Sequence, residues 1–302
     1  MADYLSILKE YFGYSSFRGI QQDIIESIGS GRDTLGLMPT GGRKSITFQV
    51  PALAQKGLCL VISPLIALMK DQVMHLRRKG IKATAVYSGM SHEEVIIALE
   101  NCILGDYKFL YISPERIASE LFQAKLRKMH VSFITVDEAH CISQWGYDFR
   151  PAYTEIAAIR KLLPTTPVLA LTATATPDVV DDIQRQLLFR QPNACRMSFE
   201  RKNLIYSVRY IEATKEMTIT ELLQQIPGTA IVYTRSRRAT YEIADYLTKV
   251  GFTATFYHAG LSNEEKNERA EAWQEGRLRV MVATNAFGMG IDKPDVRLVV
   301  HS

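Results

Sequence analysis

The chain has 302 residues, 47% hydrophobic and 23% charged, with 18 Gly and 11 Pro. At about 150 residues per domain that length suits two globular units, and the balance excludes disordered, collagenous and coiled-coil classes. Lys and Arg number 36 against 32 Asp and Glu, a formal charge of +4, which permits a polyanionic partner without requiring one.

The predicted elements alternate between short apolar runs and helix-length amphipathic stretches. An N-terminal amphipathic helix places Leu8, Phe12 and Phe17 toward a core. Strand Thr34–Met38 then precedes a helix over 45–55, Leu58–Ile62 precedes 67–79, Ala83–Tyr87 precedes 91–104, and Phe109–Ile112 precedes 116–128. Phe133–Val136 follows, and Pro167–Thr172 leads into 177–189. Buried strands separated by crossover helices predict an α/β fold with a parallel sheet. Between Phe199 and Tyr210 the text turns polar. The rhythm then restarts with Thr229–Tyr233, a helix over 238–250, Thr253–Tyr257, a helix over 262–275, strand Arg279–Val282 and a last buried-strand signal at Val296–Val300. The expected division is a first domain over 1–204 and a second over 205–302. Because the last strand signal has no covering helix after it, the second domain is expected to be truncated.

No basic leader introduces an apolar stretch at the N-terminus, and no apolar run approaches the ~18 residues of a membrane span. The expectation is a cytoplasmic protein with no membrane partner. Cys59, Cys102, Cys141 and Cys195 stand dozens of residues apart with no CxxC pair, so neither disulfides nor zinc is expected.

After the first strand comes Met38-Pro39-Thr40-Gly41-Gly42-Arg43-Lys44-Ser45. A Gly-rich turn entering a helix aims N–H groups at phosphates, a Lys adds a point charge, and a Ser hydroxyl suits Mg²⁺. The segment departs from GxxxxGKS at Met38 and Arg43, each standing where Gly is usual. An ordinary strand-to-helix turn with a solvated Lys is the competing reading. Strand Phe133–Val136 delivers Asp137-Glu138-Ala139-His140 at its C-terminal end, where ligands gather in open α/β sheets. Two adjacent carboxylates suit two tasks, Asp137 holding Mg²⁺ and Glu138 accepting a proton from water.

Asp137-Glu-Ala-His140 resembles motif II of superfamily 2 helicases, and Cys141-Ile-Ser-Gln-Trp-Gly-Tyr-Asp-Phe-Arg-Pro151 resembles the aromatic-rich loop of RecQ-like DNA helicases. Leu8-x₃-Phe12-Gly13-x₃-Phe17-Arg18-x₂-Gln21 is similar to motif 0, Ser63 to Val73 to motif Ia, and Tyr111 to Arg116 to motif Ib. Leu171 to Thr176 resembles motif III, Ile231 to Ser236 motif IV, and Val282 to Asp292 motif V. The resemblance implies two RecA-like domains, the first carrying motifs 0 to III and the second motifs IV to V.

It further implies a site for ATP formed by Tyr14, Arg18, Gln21, Thr40, Gly41, Gly42, Arg43, Lys44, Ser45 and Asp292, with Lys44, Asp137 and Glu138 catalytic and Ser45 and Asp137 on Mg²⁺. Candidate DNA-binding or coupling residues are Ser63, Gln144, Trp145, Phe149, Arg150, Thr172, Thr174, Arg235, Ser236 and His258. Aromatic faces stack on unpaired bases and hydroxyls and cations take backbone phosphates. Tyr147 stands where many members carry His. For Asp292 a turn-capping role beside Pro294 competes, and for His258 a structural one.

The implied activity is 3′-to-5′ translocation on DNA in recombination and repair. Implied partners are single-stranded and duplex DNA, in a bacterial nucleoid rather than a nucleus, with a single-stranded-DNA-binding protein engaged through the region after Ser302. Motif VI, expected after motif V, is not found before Ser302. Together with Arg43 this leaves an alternative, a DNA-binding fragment with weak or no ATPase. An RNA helicase with a related box is disfavoured by the Gln144–Pro151 loop.

Overall fold

The computed structural model describes residues 3–39, 43–145, 148–198, 203–211, 214–288 and 293–302. Thr40, Gly41, Gly42, Tyr147 and Asp292, all singled out from the sequence, lie outside the described residues. The chain divides into two units, Met1–Lys202 and Asn203–Ser302.

In the first unit α1 (Tyr4–Phe12) and α2 (Gln21–Gly29) precede β1 (Thr34–Leu37), and α3 (Ile46–Ala54) follows it. There follow β2 (Leu58–Ile62), α4 (Ile66–Arg78), β3 (Ala83–Val86), α5 (His92–Leu104), β4 (Phe109–Ile112), α6 (Glu120–Leu126), β5 (Val131–Val136), α7 (Ile156–Leu162), β6 (Val168–Thr172), α8 (Pro177–Gln186) and β7 (Ala194–Arg196). The seven strands form one sheet in the order β3-β4-β2-β5-β6-β1-β7, and every neighbouring pair is parallel. Strand side chains alternate between faces. Leu60, Ile62, Leu110, Ile134 and Ala170 enter one core with α5 to α8. Cys59, Val61, Phe109, Phe133 and Leu171 enter another with α2 to α4. Burial on both faces is why these strands read as continuous apolar runs.

In the second unit α9 (Lys215–Gln225), β8 (Thr229–Tyr233), α10 (Arg237–Lys249), β9 (Ala254–Tyr257), α11 (Asn263–Gln274), β10 (Val280–Ala283) and β11 (Val296–His301) follow in order. The sheet runs β11-β8-β10-β9, again parallel. Ala230, Val232, Val280 and Val282 pack with α9 and α10, whereas Ile231, Met281 and Ala283 pack with Trp273 of α11.

Four expectations are corrected. The helix expected over 116–128 is broken, because Ser119 caps a fresh start by accepting from the Phe122 N–H. Strand β7 was not anticipated; it is three residues at the sheet edge. Strand β11, expected to be buried, is also an edge strand among the described residues, paired on one side to β8, and Val299 is 48% exposed. The stretch expected to be polar instead exposes Ile205, Tyr206, Val208 and Tyr210. No helix among the described residues is long and apolar enough to cross a membrane.

Candidate nucleotide and nucleic-acid site

Three strands set the site. Register pairs Leu37 with Thr172 and Val136 with Ala170, so the C-terminal ends of β1, β6 and β5 lie side by side. Segment 43–45, Thr172 and Asp137–His140 therefore share one sheet edge, with the N-terminus of α3 beginning at Ile46.

Lys44 Nζ lies 3.1 Å from Glu138 Oε1, both side chains mostly shielded. Thr172 Oγ1 contacts the Thr174 carbonyl and the Thr174 N–H, each at 3.2 Å, and His140 Nδ1 at 2.9 Å. A hydroxyl has one proton. If it donates to the Thr174 carbonyl and accepts from the Thr174 N–H, the His140 contact is one in which Nδ1–H donates. The same Nδ1 lies 3.4 Å from Glu138 Oε2, so Lys44, Glu138, His140 and Thr172 form a continuous polar chain. Burial pushes the His140 imidazole down, against the nearby Glu138 and Asp148 charges.

Burial raises the Asp137 carboxyl to about 6; Lys44 opposes the rise and the Glu138 charge adds to it. The Glu138 N–H donates to Asp137 Oδ1 at 3.0 Å. Behind it, buried Tyr153 donates its hydroxyl to the Asp137 carbonyl at 2.9 Å. Sequence reasoning missed Tyr153, whose only local signal is its place just after the aromatic segment. Ser45 offers a hydroxyl and Asp137 a carboxylate. Hydroxyl and carboxylate oxygens are the donors a hard cation takes, so the residues present fit Mg²⁺.

Among the described residues, three other than Gly have positive φ: Arg43 (50°), Glu138 (48°) and Leu188 (52°). Two of the three lie at this edge, and strained backbone of this kind gathers at functional sites. The Arg43 guanidinium lies over the Tyr14 ring, 4.2 Å from its centroid. Gln21, buried, donates Nε2 to the Arg43 carbonyl at 3.4 Å and accepts the Arg18 N–H on Oε1 at 2.8 Å.

Beyond Ser143 the chain turns outward. Gln144 is exposed, Trp145 is 77% exposed, and Phe149 and Arg150 are half-buried; Arg150 pairs with Asp148 at 3.5 Å. The fold also gathers His140, Cys141 and Asp148, with ligand atoms within 4.8 Å of one another, a grouping that spacing alone did not reveal. Burial, with the Asp148 charge adding, pushes the Cys141 thiol up to about 12, and it donates weakly to Asp148 at 3.8 Å.

Ser63, just after β2, is buried and its hydroxyl has no hydrogen-bond partner among the described residues. In the second unit Ser236 caps α10 by accepting the Ala239 N–H, while Arg235 is exposed. His258 is half-buried beside Phe256, with Nδ1 unpartnered among the described residues. Tyr233 donates to the Phe287 carbonyl at 2.9 Å. The next residue must be Gly288, since its φ is 126° and a Cβ there would lie 2.4 Å from the Tyr233 hydroxyl.

Residues 18–183 match the family model described as DEAD/DEAH box helicase, and residues 213–302 the one described as helicase conserved C-terminal domain. The ATP-dependent DNA helicase RecQ of Bacillus subtilis (strain 168) is 44% identical over 300 residues, covering 98% of this chain and 51% of its own length. RecQ of Pasteurella multocida (strain Pm70) is 41% identical over 297 residues, covering 98% and 47%. The chain thus spans about half the length of these curated relatives. The solved structure of Mycobacterium smegmatis helicase Lhr bound to ssDNA and AMP-PNP aligns with a TM-score of 0.70 at 20% identity, over 98% of this chain and 43% of that one. That is a likeness of fold.

Proposed function

This chain belongs to the DEAD/DEAH box helicase family, with a RecQ-like core, and from that premise we propose that it hydrolyses ATP to drive movement along DNA. The observation that carries the reading is the polar chain Lys44–Glu138–His140–Thr172, with exposed Trp145 on the segment that follows His140.

In this reading the backbone of Thr40 to Arg43 and the N-terminus of α3 cradle the phosphates. Lys44 turns from Glu138 to the terminal phosphates, which frees the carboxylate to take a proton from the attacking water. Ser45 and Asp137 hold Mg²⁺, which when bound neutralises charge developing on the phosphates. Tyr14, Arg18 and Gln21 receive the base, and Asp292 a ribose hydroxyl. Gln144, Trp145, Phe149 and Arg150 engage unpaired DNA, and the contact between His140 and Thr172 relays that engagement to Glu138, with Thr174 holding the Thr172 hydroxyl. Arg235 and His258 meet the DNA backbone, with the Ser63 and Ser236 hydroxyls as further phosphate contacts.

Residues 1–204 then act as the ATP-binding domain and 205–302 as a second RecA-like domain. The 3′-to-5′ direction, work in recombination and repair, a nucleoid location and a single-stranded-DNA-binding protein as partner follow from the family alone. A second reading, DNA binding with little turnover, is favoured by one observation, the Arg43 side chain of the phosphate loop lying over the Tyr14 ring.

The test is phosphate release from ATP and Mg²⁺ with and without a single-stranded oligodeoxynucleotide, using RNA of equal length as competitor. The expected result is acceleration by DNA that RNA competes for poorly. DNA binding without acceleration would establish the second reading, and acceleration by RNA alone would contradict both.

A further inference from the structure

Arg43 affects the site in two separable ways. Its left-handed backbone (φ 50°) is a strain that glycine would not carry. Strain present equally in free and nucleotide-bound protein shifts stability and leaves affinity unchanged; only a contact that differs between the two states alters binding. The structure supplies such a contact. The guanidinium lies 4.2 Å from the Tyr14 ring centroid, a separation that leaves no room for a base between them. Tyr14 is half-buried against the cluster of Leu8, Ile25, Ile46 and Val50, and the Arg43 carbonyl is tied to Gln21. Two of the three residues assigned to the base, Tyr14 and Gln21, are therefore already engaged by Arg43.

We propose that Arg43 sets how much the nucleotide base contributes to binding, because its guanidinium holds the face of Tyr14 that a purine must reach. This rests on the reading of Tyr14 as a base contact. Binding of the base exchanges one stacking partner of Tyr14 for another, so the base adds less than it would on an open ring. Phosphates, bound at Lys44 and the start of α3, are not part of that exchange. The consequence is a site that selects for the triphosphate more than for the base.

The experiment compares ATP with inorganic tripolyphosphate, both with Mg²⁺, by calorimetric titration of the full chain, Arg43→Gly, Tyr14→Leu and the double variant. Leu at position 14 keeps apolar packing, and thermal melting checks that each variant is folded. A cation over an aromatic face is worth a factor of about 2 to 30 in an equilibrium constant. Arg43→Gly is expected to raise the preference for ATP over tripolyphosphate by about that factor, and to have no such effect when Tyr14 is already Leu. If both ligands change together, Arg43 acts on phosphates and the inference falls. If the preference for ATP drops, Arg43 clamps the base and the inference falls equally. Failure of every variant to bind either ligand would overturn the nucleotide reading itself, a result distinct from ATP binding with an unchanged preference.

Discussion

Replacing Glu138 with Gln is expected to lower DNA-stimulated ATP hydrolysis by about 10²–10⁴-fold, the usual contribution of a positioned general base. The amide retains the size and much of the hydrogen bonding of the carboxylate but has no proton affinity to offer attacking water. Lys44 Nζ lies 3.1 Å from Glu138 Oε1 and His140 Nδ1 lies 3.4 Å from Oε2, and the Glu138 backbone is in the left-handed region. Single-turnover phosphate release, with nucleotide affinity measured separately, isolates the chemical step. Hydrolysis within about threefold of the parent, some 0.7 kcal/mol of barrier, would remove Glu138 from that role.

The second large effect concerns the opposite end of β1. The Asp33 carboxylate accepts from Arg160 Nη2 at 2.8 Å, the Val168 N–H at 2.9 Å, and the Arg190 N–H and Nε at 2.9 and 3.0 Å. The Asp33 and Arg160 side chains are 1% and 4% exposed. Asp33→Asn leaves a buried guanidinium without its counter-charge, which costs about 3–5 kcal/mol. For a unit of this size that lowers the melting temperature by about 6–20 °C.

The pH dependence has a definite sign. Burial works to raise the Asp33 carboxyl, but hydrogen bonds from Arg190 and Val168 and the Arg160 charge outweigh it, and the net displacement is downward. A depressed native value stabilises above the unfolded value of ~3.9, and that contribution drains away as pH falls through the native one. Denaturation from pH 7 to pH 3 should therefore show a constant gap between parent and variant down to about pH 5, narrowing below pH 4. A gap that persists undiminished at pH 3 would contradict this ionic account.

The strands were legible because parallel strands buried on both faces leave uninterrupted apolar text. Thr34, Leu58, Phe109 and Thr229 open strands where the runs begin. Strand β7 left no such text, since an edge of three residues, two half-buried and one exposed, needs no apolar run. The loop at Lys44 and the carboxylates at Asp137 and Glu138 were visible as local motifs. Their meeting was not, because it depends on β6 lying between β1 and β5. Asp33 gave no signal at all, as its partners Arg160, Val168 and Arg190 are over a hundred residues away. Arg43 was visible as a departure from pattern, but its stacking on Tyr14 is a tertiary fact. Ser236, read from its motif as a phosphate contact, also caps its own helix, a role the motif did not announce.

The central claim is that unpaired DNA on the Trp145 segment controls hydrolysis at Glu138. The most direct measurement is the DNA concentration needed for half-maximal stimulation of ATP hydrolysis in the parent and in Trp145→Ala. Loss of one stacked base, ~1–3 kcal/mol, predicts a rise of about 5- to 150-fold. An unchanged half-maximal concentration, with stimulation intact, would contradict the account.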